Sequence, residues 1–373
     1  MQHPWSHASP NAPARQRARS ATIIAGLTLL FASAFAVAQP PETHDDLAID
    51  KAMRTSVIDA VARYAESNYV FADRAKDIAR ALRRHEKDGD YDDIATGSVL
   101  AERLTKDLQA VTPDRHLKVF FSAEPRPTQD TPGEPSEEEK AQKRLGAIRR
   151  NFGIERAEHL DGNVGYLKLT KFDDPAFAGE TLAASMRFLG NTDALIIDLR
   201  YNGGGHSDMV ALLTSYFFDG DPVHLVDLYD RTTGETSQSW TVPYVPGPHY
   251  AGKPVYVVTG TRTFSAAEQF AYCLQKLGRA VVVGETTGGG AHFAQIFQIN
   301  PHFAVMVPFG NATSPVTKSN WEGTGVIPDV AAAGDVAVRT AHRLALEKLL
   351  DSTTDARHAD YLKMLVAEMK EQK

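Results

Sequence analysis

Hydrophobic spacing changes character once along the chain, near residue 141. Before it, between residues 45 and 112, apolar side chains recur every three or four positions. Val57, Val61 and Tyr64 form one set, Ala75, Ile78, Ala79 and Leu82 a second, and Leu100, Leu104, Leu108 and Val111 a third. That spacing lines one face of a helix, so three amphipathic helices are predicted. Gly89, after Arg83-Arg84, marks the end of the second; Ser98 suits the N-cap of the third, and Pro113 stops it. HLKVFF (116–121) then alternates as a strand does.

After residue 141 the apolar positions run together. DALIIDL (193–199), PVYVVT (254–259) and AVVVGE (280–285) are almost unbroken, as strands covered on both faces must be. VGYLKL (164–169) follows an Asp161-Gly162 turn signal. Helical segments at 206–217 and 265–277 lie between the strands, which predicts a layered α/β core. FAQIFQI (293–299) and FAVMVPF (303–309) read as a strand pair, and 335–350 and 357–372 as amphipathic helices. The organisation expected is a helical domain at 39–121, a core at 141–334 and C-terminal helices at 335–373. Residues 122–140 hold four prolines and a run of acids, too little apolar surface to fold alone, and read as a linker.

Composition narrows the chemistry. The 373 residues carry a net charge of −7, which argues against a nucleic-acid binder, since phosphate contacts need clustered Lys and Arg. Cys273 is the single cysteine, so neither an intramolecular disulfide nor a Cys-based zinc site is possible. No H-E-x-x-H pattern is present, and no metal or cofactor is expected. Residues 1–38 contain Arg15, Arg17 and Arg19, no acid, an apolar run from Ala21 to Ala36, and Ala36-Val37-Ala38. This is the pattern of a secretory signal peptide cleaved after Ala38. The mature chain is then expected in the periplasm or outside the cell, without stable membrane insertion.

Polar residues gather at the ends of the apolar strands. Ser265 falls in GTRTFSAAE (260–268), between a strand and a helix, where free backbone N–H groups and the helix dipole favour negative charge. A Ser there is a preferred cap as well as a candidate nucleophile. DLRYNGGG (198–205) ends the strand at 193–199, and its glycines let backbone approach a ligand closely. Thr287-Gly288-Gly289-Gly290 follows the strand at 280–285, and Glu322 lies in the turn-rich NWEGTGVIPD (320–329). His116 stands behind Asp114-Arg115, and His206 and His292 flank the glycine loops.

Taken in order, DLRYNGGG, TFSAAEQFAY, GETTGGGAH and NWEGTGVIPDV resemble the tail-specific, or C-terminal processing, serine peptidases. Within that family they resemble the branch named after interphotoreceptor retinoid-binding protein, and the resemblance extends over about residues 51–333. The resemblance implies a crotonase-like α/β spiral core and a serine nucleophile at Ser265. Many relatives pair that serine with a lysine in GxxTxGKG; here Gly290 stands at the lysine position. Lys276, eleven residues beyond Ser265, lies about three helical turns away. The tricorn-like branch uses Ser–His–Glu instead, and its histidine and glutamate fall on His116 and Glu322. The oxyanion donors implied are the N–H of Ala266 and a glycine of the 203–205 loop, Gly204 aligning better than Gly203. Asp114 is an alternative partner for His116. The 47 residues between His116 and the strand at 164–169 leave no room for a PDZ domain.

The expectation is therefore an exported serine endopeptidase acting on extended polypeptides near their C-termini. The alternatives are an esterase using the same groups, and a non-catalytic carrier of a hydrophobic small molecule such as a retinoid or fatty acid.

Overall fold

The computed structural model describes residues 46–126 and 137–371. The signal segment and the centre of the linker lie outside the described residues. The chain opens with α1 (Lys51–Asn68), α2 (Ala72–Lys87), α3 (Gly97–Val111) and β1 (Lys118–Phe121). Next come α4 (Glu137–Arg149), β2 (Ile154–Leu160), β3 (Val164–Leu169), α5 (Pro175–Leu189) and β4 (Ala194–Asp198). They are followed by α6 (Ser207–Ser215), β5 (His224–Asp230), β6 (Thr236–Trp240), β7 (Val255–Thr259) and α7 (Ala266–Lys276). The remainder is β8 (Val281–Gly284), β9 (His292–Gln298), β10 (Phe303–Thr313), β11 (Val330–Ala331), α8 (Val336–Ser352) and α9 (Ala356–Glu371). No helix among the described residues is long and apolar enough to cross a membrane.

A six-stranded sheet in the order β11-β8-β7-β4-β3-β2 forms the centre, parallel except for the β2–β3 pair. The unbroken apolar runs are explained by its two covered faces. Leu195 and Ile197 of β4 join the core under α5, α6 and α7, whereas Ala194 and Ile196 join the one under α8 and α9. Alternate side chains of one strand thus serve two layers.

The second sheet runs β1-β10-β5-β6, with β9 on the other side of β10. Helices α1, α2 and α3 pack on it: Val57, Val61, Leu82 and Leu104 share one core with Phe303, Val305 and Val307 of β10. The N-terminal helices therefore do not bury their apolar stripes among themselves alone. Arg231 reinforces this contact by donating to the Tyr69 carbonyl, and Val70 N–H donates to Pro308 at 2.8 Å.

Two details differ from the sequence expectation. The third helix starts at Gly97 with Thr96 in the cap position, not Ser98. Asp46, fifty-two residues earlier, accepts both the Ser98 N–H, at 3.2 Å, and its hydroxyl, so a distant carboxylate does what a local cap would. The last four residues of the expected linker, 137–140, belong to α4.

Candidate active site

The loops that follow β4, β7 and β8 lie side by side at the carboxyl ends of the parallel strands, the usual place for a site in such sheets. Each is tied to its neighbours. Asn202 donates to the Leu169 carbonyl at 2.9 Å and, through its backbone carbonyl, accepts the Phe264 N–H at 3.0 Å. The Thr263 hydroxyl donates to Leu199 O at 2.7 Å, and Gly288 N–H donates to Thr263 O at 2.9 Å. Below them, Arg200 pairs with the buried Asp198 at 2.8 Å, and Tyr166 donates to the same carboxylate.

Ser265 sits at the N-cap of α7 with φ 56° and ψ −122°, a left-handed backbone that a non-glycine residue rarely adopts. Such strain is held only where the surroundings over-determine it. Here Glu268, fully buried, receives the Ser265 N–H at 2.8 Å, the Thr287 hydroxyl at 2.5 Å and the N–H groups of Gly289 and Gly290 at 2.6 and 2.8 Å. Burial pushes the Glu268 carboxyl above its usual range, against the pull of these four donors. Glu268 was not among the expected site residues, yet Ser265-x-x-Glu268 is the sequence signature of a capping box.

Gly204 holds φ +100°, and a Cβ there would lie 2.8 Å from Ser265 Cβ and 3.0 Å from Ala266 N. Its own N–H donates to Asn202 Oδ1 at 2.8 Å, so Gly204 is the close-packing residue of the loop and its donor is engaged. Ser265 and Ala266 line a cavity of about 50 Å³ together with Gly205, Gln269, Gly290 and His292. That volume holds little more than one water.

His116 is buried just before β1, its ring 4.5 Å from that of Phe264, the residue preceding Ser265. Arg115 lies over the same ring and donates to Gly288 O at 2.9 Å. A Cβ on Gly290 would approach His116 Cε1 to 2.7 Å and Phe264 Cζ to 2.3 Å. Position 290 thus points at space that the Phe264 and His116 rings occupy. Burial pulls His116 down to about 4, so its ring is neutral near pH 7. Gly290→Ala is expected to cost about 1–3 kcal/mol by overpacking and to shift the imidazole. A melting temperature and turnover both equal to the parent's would contradict this contact.

Glu322 is not paired with His116. Its Oε2 accepts the N–H groups of Ala291 and His292, at 2.5 and 3.2 Å, and the imidazole nearest to it is that of His292, 3.6 Å away. Burial, then the charge of Asp114, pushes Glu322 up. Asp114 reaches both histidines: Oδ1 accepts the His116 backbone N–H at 2.9 Å, and Oδ2 accepts from His292 Nδ1 at 2.6 Å. Burial opposes ionisation of Asp114, but the hydrogen bond and charge of His292 outweigh it and hold the carboxyl low. Burial likewise lowers His292, and the Asp114 bond more than offsets it. Among the described residues, Asp114, His292 and Glu322 converge to within 4.8 Å, a donor set suited to a divalent cation. The bonds just given already use the converging atoms. His292 and Asp114 are 178 residues apart, and no local pattern joins them.

Against this geometry, known proteins give a consistent picture. The profile of peptidase family S41 matches residues 163–332, and that of the N-terminal domain of this family in eukaryotic IRBP matches residues 47–154. The chain is 28% identical over 182 residues to the chloroplastic carboxyl-terminal-processing peptidase 1 of Arabidopsis thaliana, covering 48% of this chain and 35% of that one. It is 32% identical over 109 residues to the tail-specific protease of Haemophilus influenzae, covering 29% and 15%. A crystal structure of a peptidase candidate from Parabacteroides merdae superposes with a TM-score of 0.52 at 18% identity, over 79% of this chain and 96% of that one; at that identity it speaks to the fold alone. The chain spans about a third of the length of its Arabidopsis relatives, 35% and 31% for the first two. The two matched regions lie end to end over the N-terminal helices and the sheet that carries Ser265, and the chain belongs to peptidase family S41, the serine-type peptidases, with an N-terminal domain of the IRBP type.

Proposed function

We propose that this chain is an exported serine endopeptidase that cleaves extended polypeptides near their C-termini, through Ser265 with His116 as the base. The observation that carries the reading is the exchange at position 290. Where the Ser–Lys relatives have a lysine, a glycine leaves room, and the rings of Phe264 and the neutral His116 occupy it beside the Ser265 loop. A neutral imidazole takes the hydroxyl proton as Ser265 Oγ attacks the scissile carbonyl, then returns it to the leaving amine. The developing oxyanion is held by the Ala266 N–H at the α7 N-terminus, with a second donor from Gly203 or Gly205, which flank the engaged Gly204. Glu322 serves as the acidic member at one remove, through His292 and Asp114. We read the core as the crotonase-like spiral type, which the run of parallel strands and its covering helices support. The basic, apolar and A-x-A pattern of residues 1–38 supports export. The cavity beside Ser265, about 50 Å³, suits a carbonyl group; a retinoid or fatty acid needs several hundred.

The test is to incubate purified 39–373 with an unstructured polypeptide and read new termini by mass spectrometry across pH. Because His116 must be neutral to act, kcat/KM is expected to rise with pH through about 4 and then level. A rise centred near the ordinary imidazole value of about 6.5 would mean that the ring is less desolvated than its burial implies, whereas undiminished activity in a folded His116→Ala variant would remove His116 from the role. Turnover of esters with no peptide cleavage would make the chain an esterase instead.

A further inference from the structure

We propose that His292 is a positioning residue that, through Asp114, sets the His116 backbone against the Ser265 loop. The inference rests on the peptidase reading above for its kinetic consequence, but its geometry is independent of it. No carboxylate among the described residues hydrogen-bonds the His116 ring: Nδ1 is buried without a hydrogen-bond partner and lies 3.9 Å from Asp114 Oδ1, a charge contact only. What fixes His116 is its backbone N–H, donated to that same oxygen at 2.9 Å. Asp114 in turn is held by His292 Nδ1, at 2.6 Å, and by the Tyr69 hydroxyl, at 3.2 Å.

His292 opens β9, and the segment leading into it is bound to the nucleophile's side of the site. Gly290 N–H goes to Glu268, which also receives the Ser265 N–H. Ala291 and His292 N–H groups go to Glu322. Residues 290–292 are therefore one strut held by three carboxylates, Glu268, Glu322 and Asp114. Through Glu268 it carries Ser265, and through His292 and Asp114 it carries His116. Nucleophile and base come from segments 149 residues apart in sequence, and this strut is where their supports meet. Catalysis is steeply sensitive to such alignment, about 100-fold for an ångström of misplacement.

The experiment compares His292→Ala with His292→Asn. The Asn Nδ2 stands the same number of bonds from Cα as His Nδ1, so it can donate to Asp114. We expect His292→Ala to lower kcat about 10- to 100-fold with KM changed less than about threefold, and His292→Asn to recover most of the loss. In parallel, the backbone amide signal of His116 in ¹H–¹⁵N spectra should move in His292→Ala and return toward the parent position in His292→Asn. A purely structural role would lower thermal stability alike in both variants without this recovery. Equal kcat losses in the two folded variants, or a His116 amide indifferent to both, would overturn the proposal. If the parent protein hydrolyses nothing, the peptidase reading falls, and the amide signal still decides whether His292 sets His116.

Discussion

Ser265→Ala is expected to reduce kcat/KM for an extended polypeptide by at least about 10⁴-fold, the scale seen when a nucleophile that works with a base is removed. The melting temperature should fall by only a few degrees, the cost of a lost N-cap hydroxyl being about 1 kcal/mol, and alanine has the same difficulty as serine at φ 56°. The strain is carried by Glu268, Asn202 and the Gly204 contact, all untouched by the change. Circular dichroism and melting curves check the fold, and peptide turnover checks the chemistry. Retention of a tenth or more of the parent activity in a folded variant would mean that some other group attacks the substrate.

The second large effect is on stability. Glu268→Ala leaves four donors around an empty, fully buried space: the N–H groups of Ser265, Gly289 and Gly290, and the Thr287 hydroxyl. Each unsatisfied buried donor costs about 1–3 kcal/mol, and the cavity adds to this. The costs are not additive for groups in one network, but a loss of about 4 kcal/mol or more is expected, at the upper end of single substitutions. Glu268→Gln does not rescue it. An amide presents an NH₂ where the carboxylate presents only acceptors, so a donor meets a donor on one side. About 2–4 kcal/mol should still be lost. Chemical denaturation measures both, and a Gln variant as stable as the parent would show that the pocket accepts a donor, contrary to four donors converging on Glu268.

How much of this could be seen in the chain itself depends on the range of each interaction. The parallel strands β4, β7 and β8 were legible because covering both faces forces unbroken apolar runs, and DALIIDL, PVYVVT and AVVVGE are such runs. Helices α1 to α3 were legible from their periodicity. By contrast β6, TSQSW, is largely exposed and polar apart from Trp240, and in β5, HLVDLYD, Leu225 and Val226 are adjacent and Asp227 interrupts the apolar positions, so neither alternates or runs unbroken as a strand signal would. Helix α5 was not anticipated either, although Asp174 caps it and Pro175 opens it. The N-terminal helices read as a domain of their own, since nothing in their spacing reveals that Phe303, Val305 and Val307 complete their core.

The candidate site divides in the same way. Ser265, Ala266 and the glycine loop were found from strand-end position, and they stand together around one cavity or in contact beside it. His116 and Glu322 were picked out in the chain as polar candidates and took their roles from resemblance; the first lies against Phe264 and Gly290 while the second holds Ala291 and His292. The Asp114–His292 bond was out of reach, because it joins a turn before β1 to the first residue of β9 and depends on the whole second sheet being assembled.

The central claim is that Ser265 is a nucleophile activated by His116. An aryl phosphonate that labels activated serines, followed by peptide mapping in a mass spectrometer, tests both halves at once on purified 39–373. The account predicts one adduct, on Ser265, that is lost in a folded His116→Ala variant. An adduct on another serine, or a Ser265 adduct undiminished by His116→Ala, would contradict it.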